Sequence, residues 1–209
     1  MKKLSIAIAL TVSTLAAPSY AGIINFGSDN NNFDCTFTCT ARLQQQYSAA
    51  RFGSEKININ RVSFFGDGLT SNELLGWKMT LANMGGTTFS GTFKDNLGAT
   101  AALFDTDASN VASAVQIDFI GNFVYDPTKG DLIVDVAGAG GMWKNFATTS
   151  DVNRLYAWGD TPNGNLNYAY GLRTQFEYTQ APANVPEPSS LALVGLALVG
   201  LAAMRRKKG

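Results

Sequence analysis

The residue types available for acid–base and nucleophilic catalysis limit the reactions that this chain could perform. It contains no histidine, which removes Ser-His-Asp and Cys-His catalysis and the ordinary zinc and iron sites. Glycoside hydrolysis needs only two carboxyl groups, and Glu55, Glu73, Glu177 and the aspartates could supply them. No pair of these residues shows a diagnostic spacing in the sequence. We therefore do not expect an enzyme.

The best candidate for a metal site is the oxygen-rich segment 105–110, which contains Asp105, Asp107 and Asn110. Calcium binds such oxygen donors, but an EF-hand loop requires glycine at its sixth position and glutamate at its twelfth. Asn110 and Gln116 stand at those positions. A polar surface loop is the favoured interpretation, and we predict no metal and no cofactor.

Aromatic side chains in the C-terminal part of the body are the candidates for ligand contact. Trp143 follows Gly140 and Gly141, and with Trp158 it is the possible sugar contact. Tyr168 and Tyr170 lie in an alternating segment, where most aromatic residues serve a core because each buries a large area. For these two tyrosines we therefore expect a place in the core.

The N-terminus has the features of a secretory signal peptide. Two lysines follow Met1, an apolar stretch runs from Leu4 to Ala17, and a small-x-small triplet ends at Ala21. This pattern predicts cleavage between Ala21 and Gly22, with residues 1–21 removed.

Charge argues against a nucleic-acid partner. Six of the 16 basic residues lie in the two terminal segments, so the body from Gly22 to Pro188 keeps ten basic and 16 acidic residues. Its net charge is −6, and it has no lysine or arginine cluster. Nucleic-acid binding depends mainly on neutralising phosphates, so we expect none.

Cys35 and Cys39 are the two cysteines. In an exported, oxidising context a disulfide is the default. A straight strand would place their Cα atoms about 13 Å apart, beyond the roughly 7 Å that a disulfide tolerates. The bridge therefore requires a turn at residues 36–38. The alternative, a metal-binding pair, lacks further cysteine or histidine ligands.

The body is dominated by alternating apolar and polar residues, which is the pattern of half-buried β-strands. The apolar series are Leu75, Trp77, Met79 and Leu81; Val115, Ile117, Phe119, Phe123 and Tyr125; Leu132, Val134 and Val136; and Leu166 through Tyr178 in steps of two. The phase slips between Ile59 and Val62, which suggests a bulge at Asn60 and Arg61. Only residues 41–50, with Leu43 and Tyr47 four apart, suggest a short helix. We predict an all-β protein, an antiparallel β-sandwich of jelly-roll type spanning residues 22–180.

The segment from Phe123 to Val136 predicts two strands joined by a turn at Asp126-Pro-Thr-Lys-Gly, that is, a β-hairpin. It resembles a segment of exported β-sandwich proteins that carry interchangeable C-terminal anchors. In that pattern an aromatic-Asp-Pro-x-x-Gly turn leads into an apolar strand that ends in aspartate. The resemblance extends loosely over residues 55–137 and implies fold more than function.

The C-terminus combines three elements. A Pro-rich linker, residues 181–190, contains Val185, Pro186, Glu187 and Pro188. The fixed φ angles of the two prolines favour an extended strip. Residues 191–204 are an uncharged apolar run, which predicts a hydrophobic helix that spans the membrane with help from flanking cations. The basic tail, residues 205–209, is expected to stay cytoplasmic and stop export; its charges are Arg205, Arg206, Lys207 and Lys208. The alternative is an ordinary C-terminal hydrophobic anchor.

This order of elements resembles the PEP-CTERM sorting signal of exported bacterial proteins, also known as the ice-binding-protein C-terminal motif. The resemblance implies processing by an exosortase, contact with the membrane through the C-terminal helix, and a place in the cell envelope, cell surface or extracellular matrix. It also implies an association with exopolysaccharide and biofilm. The expected function is a non-enzymatic envelope or matrix protein. The alternatives are a carbohydrate-binding module for exopolysaccharide and, less favoured, a carboxylate-dependent glycosidase.

Overall fold

The computed structural model describes residues 21–27, 33–34, 40–66, 77–104, 111–113, 115–138 and 146–181. Strands dominate these ranges: β1 (Ala21–Phe26), β2 (Phe33–Asp34), β3 (Arg42–Tyr47), β4 (Ile57–Phe65), β5 (Lys78–Met84), β6 (Leu97–Phe104), β7 (Val111–Ser113), β8 (Gln116–Tyr125), β9 (Leu132–Ala137), β10 (Phe146–Thr149), β11 (Asn153–Ala157), β12 (Asn165–Asn167), β13 (Gly171–Leu172) and β14 (Thr174–Gln180). One short helix, α1 (Phe93–Asn96), and 3₁₀ turns at Ala49–Arg51 and Pro127–Lys129 accompany them.

The strands form two large sheets and one small sheet, and all strand pairs between described residues are antiparallel. The five-stranded sheet has the order β1-β14-β4-β8-β7, and the six-stranded sheet has the order β12-β11-β3-β9-β5-β6. The small sheet has the order β13-β10-β2. These findings confirm the all-β antiparallel prediction.

The strand pairs nest in the manner of a jelly roll. β1 pairs with β14, β3 with β9, β4 with β8 and β5 with β6. Successive nested pairs alternate between the five-stranded and the six-stranded sheet. This arrangement arises when one long antiparallel hairpin is rolled up into two facing layers. The β11–β12 hairpin adds to the outer edge of β3, beyond the nested strands.

The main core lies between the two large sheets. The predicted apolar faces meet there: Trp77, Met79 and Leu81 of the β5 segment, Ile117, Phe119, Phe123 and Tyr125 of β8, and Leu132, Val134 and Val136 of β9 are all buried in it. Val115, at the start of the β8 series, is exposed. Alternation therefore identified the faces that pack together, because successive side chains of a strand point to opposite sides.

A second, smaller core covers the outer face of the six-stranded sheet. Phe89 and Phe93 pack there against Ile133 and Leu155. The buried amide of Gln44 donates to the Phe93 carbonyl oxygen at 2.9 Å, and Asn96 donates to the Gln44 side-chain oxygen at 3.0 Å. These bonds hold the segment around α1 on the sheet. They also explain why β9 is buried on both faces.

The bulge predicted near Asn60 is present in β4. Ile59 opposes Tyr178 and Arg61 opposes Glu177, so Asn60 is the extra residue relative to β14. The register with β8 shifts at the same place. The phase slip between Ile59 and Val62 was therefore a correct signal.

The helix suggested for residues 41–50 is wrong. Arg42–Tyr47 is the strand β3, and only a 3₁₀ turn at Ala49–Arg51 follows it. A spacing of four places Leu43 and Tyr47 on one face of a helix, but it also places them on one face of a strand. The segment Arg42–Tyr47 pairs with β9 on one side and with β11 on the other, so it is a strand.

The predicted hairpin around Asp126 is also wrong. β8 lies in the five-stranded sheet and β9 in the six-stranded sheet, so the turn carries the chain from one layer to the other. In a hairpin the two strands would lie side by side in one sheet. In opposite sheets, the apolar faces of β8 and β9 both belong to the core between the two layers.

Side chains fix this inter-sheet turn. The Asp126 carboxylate accepts hydrogen bonds from the Thr128 hydroxyl at 2.6 Å and the Thr128 N–H at 3.2 Å, and Lys56 lies 3.5 Å away. The hydroxyl bond is the main reason that the pKa of Asp126 is lowered from its ordinary value, although burial opposes the shift. Gly130 ends the turn with φ of 114°, a backbone conformation that favours glycine.

Asn83 of β5 connects the turn to the six-stranded sheet. Its buried amide donates to the Asp126 carbonyl oxygen at 2.9 Å and to the Gly130 carbonyl oxygen at 3.4 Å. We expect Asn83→Ala to lower the free energy of unfolding by about 1–3 kcal/mol, because it removes a buried hydrogen-bond donor from the turn. Urea denaturation measures the change.

The exposed Asn165 provides the matched control. Asn165→Ala should stay within about 0.5 kcal/mol of the parent protein. Equal losses in the two variants would contradict the role given to Asn83.

Candidate functional site

The two ends of the folded body lie side by side. β1 begins at Ala21, directly at the predicted signal-cleavage junction, and β14 ends at Gln180. Ala21 is the register partner of Thr179, and Gly22 is that of Tyr178. Both segments that the sequence directs to the membrane therefore leave the body at one end of the five-stranded sheet.

The first residues of β1 lie in a shallow hollow of about 250 Å³, lined by Ala21, Gly22, Ile23, Asn60, Glu177 and Tyr178. The ring of Tyr178 covers Gly22 so closely that a Cβ atom there would lie 2.3 Å from a ring carbon. A glycine at the predicted first mature position therefore lets the tyrosine pack onto the strand end.

Carboxylates near this hollow are engaged with an arginine. Arg61 Nη1 lies 3.1 Å from Glu177 Oε1, and Arg61 Nε lies 4.0 Å from Asp118 Oδ2. Asp118 also accepts a hydrogen bond from the Ser63 hydroxyl at 2.7 Å. The Arg61 guanidinium therefore lies next to both acidic side chains.

A row of side chains that pack on one another forms the second candidate site. It consists of Trp158, Tyr156, Arg154 and Tyr170, which we call the aromatic ladder. The ring of Trp158 packs on that of Tyr156 with centroids 5.2 Å apart and planes at 89°. The Arg154 guanidinium carbon lies 4.8 Å from the Tyr156 ring centroid and 4.2 Å from that of Tyr170. Cation–π contact of this kind orders the rings on both sides of the arginine.

The β11 strand explains the ladder. Arg154 and Tyr156 alternate with Leu155 and Ala157, whose side chains belong to the smaller core. Arg154 and Tyr156 point to the opposite face, and Trp158 directly follows the strand. Arg154 is buried, Tyr156 is half-buried, and Trp158 is 68 % exposed. The ladder thus runs from the interior to an exposed indole ring.

The expected core positions of Tyr168 and Tyr170 are wrong. Tyr168 is 63 % exposed, and Tyr170 is 36 % exposed. The series from Leu166 to Tyr178 is not one strand, because the chain turns between β12 and β13 with Ala169 at φ of 52°. The turn breaks the alternation, so the tyrosines do not continue the buried face of β14.

Of the two predicted sugar contacts, Trp158 lies within the described residues, and its exposed ring stands at the end of the aromatic ladder. Arg154 was missed as a member, although the alternation of Arg154, Tyr156 and Trp158 could have revealed a shared face. Trp143, Cys35 and Cys39 lie outside the described residues, as do the sorting residues Val185, Pro186, Glu187 and Pro188 and the basic residues Arg205, Arg206, Lys207 and Lys208. The proposed disulfide therefore stays a prediction.

No group of three or more potential metal ligands occurs within the described ranges. The oxygen-rich segment 105–110 lies outside them. Among the described helices, none is long and apolar enough to cross a membrane. The predicted hydrophobic helix at residues 191–204 also lies outside the described part of the chain.

Comparison with known families decides the nature of the tail. Residues 184–207 match the family described as the PEP-CTERM protein-sorting motif. The tail is a PEP-CTERM sorting signal. The chain is therefore an exported protein that is sorted to the cell envelope or surface, and the motif implies processing by an exosortase. No curated protein and no solved structure matches the chain.

The signal begins close to the folded body. Six residues lie between Ala181, the last described residue, and Pro188, so Pro188 is seven positions further along the chain. Even fully extended, this length spans at most about 25 Å. An exosortase acting at the motif therefore works within that distance of the end of β14.

The burial of the ladder predicts how its members tolerate substitution. We expect Trp158→Ala to change the free energy of unfolding by less than about 0.5 kcal/mol, because most of the side chain is exposed. Leu155→Ala, on the buried face of the same strand, should cost about 2–5 kcal/mol. Urea denaturation of both variants checks the contrast, and a large loss in Trp158→Ala would contradict the exposed position.

Proposed function

We propose that this protein is a non-enzymatic component of the cell envelope or extracellular matrix, associated with exopolysaccharide and biofilm. The observation that carries the proposal is the PEP-CTERM signal at residues 184–207. The signal delivers the body to an exosortase, which cleaves near Pro188 and passes the body to its final location. The membrane contact is made through the apolar run 191–204 before that cleavage.

A structural rather than catalytic role agrees with the side chains of the body. The chain has no histidine, and the acidic side chains beside the hollow are engaged with Arg61. The inward-facing polar residues instead join the layers. Tyr47 of β3 and Thr174 of β14 share a hydrogen bond of 2.7 Å, and Gln45 bonds to both. Burial raises the pKa of the Tyr47 phenol, so it remains an uncharged part of this contact.

Processing is tested by the intact mass of protein recovered from cells. We expect the native mass to begin at Gly22 and to end near Pro188. Replacing Pro186, Glu187 and Pro188 together by alanine should abolish the C-terminal cleavage, because the rigid extended strip is the segment that the enzyme grips.

Pro182→Ala is the matched control, since it removes a proline from the same linker outside the matched motif. This variant should be processed like the parent protein. A native mass that runs through Gly209 would reduce the tail to a hydrophobic anchor and contradict the proposal.

The second candidate function is carbohydrate binding, with exopolysaccharide as the ligand. The observation that favours it is the exposure of Trp158 at the end of the aromatic ladder. A sugar ring presents C–H groups on its faces and hydroxyl groups around its rim. A flat indole ring, held in place by the packed ring of Tyr156, suits such a face.

Affinity electrophoresis in gels that contain exopolysaccharide purified from the producing cells tests this function. We expect Trp158→Ala to weaken binding by about tenfold, the loss of one aromatic contact of roughly 1.4 kcal/mol. Trp143→Ala tests the other predicted sugar contact in the same gels.

Ile120→Ala, which changes an exposed apolar residue of the five-stranded sheet, is the control and should bind like the parent protein. Unchanged migration of the parent protein in these gels would contradict the carbohydrate function and leave the sorting result untouched.

A further inference from the structure

The first strand of the body depends on the last. β1 stands at the end of the five-stranded sheet, and β14 is its one partner strand among the described residues. β14 itself lies between β1 and β4. The two strands are about 150 residues apart in sequence, since Gly22 pairs with Tyr178. Until β14 is in the sheet, β1 has no strand to pair with.

Side-chain packing gives the same dependence. Phe26, the last residue of β1, is fully buried and packs edge to face on Phe176 of β14 with centroids 5.9 Å apart. It also contacts Tyr47 with centroids 4.8 Å apart. At the other end of β1, the Tyr178 ring covers Gly22. Residues of β14 therefore cover the first residues of β1 and form part of the packing around its buried anchor, Phe26.

The predicted signal-cleavage bond lies within this paired strand. Ala21 and Gly22 both have register partners in β14. A signal peptidase needs the residues around the scissile bond as a free extended segment. In the closed sheet, these residues would have to separate from β14 first, and cleavage of folded chains follows such local opening.

We propose that the closed sheet protects the predicted signal-cleavage bond: once β14 pairs with β1, the Ala21–Gly22 bond resists signal peptidase, so the signal peptide has to be removed before β14 enters the sheet. The inference rests on the proposed function for the two processing reactions. The first reaction hydrolyses the Ala21–Gly22 peptide bond. Water supplies a hydroxyl group to the Ala21 carbonyl carbon and a proton to the Gly22 nitrogen, which becomes the new N-terminus.

The order follows from the direction of export. The N-terminus crosses first, and residues 174–180 are the last strand of the body to emerge. The junction therefore stays unpaired while nearly the whole body is being exported. Once β14 pairs with β4 and β1, the junction is closed. The sorting motif begins at residue 184, beyond the end of β14 in the sequence.

The experiment uses the purified full-length precursor, residues 1–209, in detergent with a bacterial signal peptidase. We expect the refolded precursor to be cleaved at least about tenfold more slowly than precursor freshly diluted from denaturant, because only the open fraction is cut. Equal rates would overturn the proposal, as would cleavage of the fresh chain at another bond.

Two neighbouring residues of β1 give a matched pair of variants. Ile24 packs against the main core, whereas Ile23 is 59 % exposed on the opposite face. Ile24→Glu should detach β1 and restore rapid cleavage of the refolded precursor. Ile23→Glu adds the same charge one residue away and should remain resistant. If both variants resist cleavage equally while circular dichroism shows a folded body, docking of β1 is not what protects the junction.

If Ile24→Glu unfolds the body, a measurement on chains stalled during export in cells tests the proposal instead. Chains stalled during export before residue 174 has crossed should already have lost the signal peptide. Retention of the signal peptide until residues 174–180 are exported would overturn the proposal. The mass of the C-terminus, measured on the same protein, reports exosortase processing separately. Failure of the sorting function is thereby distinguished from failure of the order.

Discussion

The pairing of β14 with β1 and β4 is the contact on which the closed fold depends. It places residues from the end of the body second in the five-stranded sheet, with the edge strand β1 on one side and the rest of the sheet on the other. Phe176 of β14 contributes to the main core, and Thr174 bonds to Tyr47 of the facing sheet. One strand thus joins the two layers and the two ends of the described body. All these contacts are long-range, so they form only after residues 174–180 have been made.

The same contact connects the fold to its cellular route. An exported protein with a signal at each end must present both ends to membrane enzymes, and here both leave the same end of one sheet. The predicted N-terminal junction is part of the sheet, whereas the C-terminal motif begins at residue 184, after the end of β14 in the sequence. This asymmetry arises because β1 starts at the junction itself, while a linker separates β14 from the motif. The body therefore constrains its two processing reactions differently.

The aromatic ladder shows how a fold can expose an aromatic ring without weakening its core. β11 uses Leu155 and Ala157 for the smaller core and leaves Arg154 and Tyr156 for the other face. Since the hairpin of β11 and β12 extends beyond β3, this face reaches the edge of the six-stranded sheet. Tyr156 packs against the main core and Arg154 is buried, so Trp158, which is 68 % exposed, is the ladder residue that can be changed with the least effect on the cores.

The sequence alone determined the address of the protein and the class of its fold. The sorting signal is a continuous segment, and strand alternation is a local pattern with a period of two residues, so both are visible without a structure. It also located the bulge at Asn60 and the buried faces of β5, β8 and β9. Tertiary structure decided which strands share a sheet, and this overturned the hairpin at Asp126, the helix at residues 41–50 and the buried positions of Tyr168 and Tyr170. These features depend on pairing between residues far apart in the chain, such as Ala21 with Thr179, which no local pattern encodes.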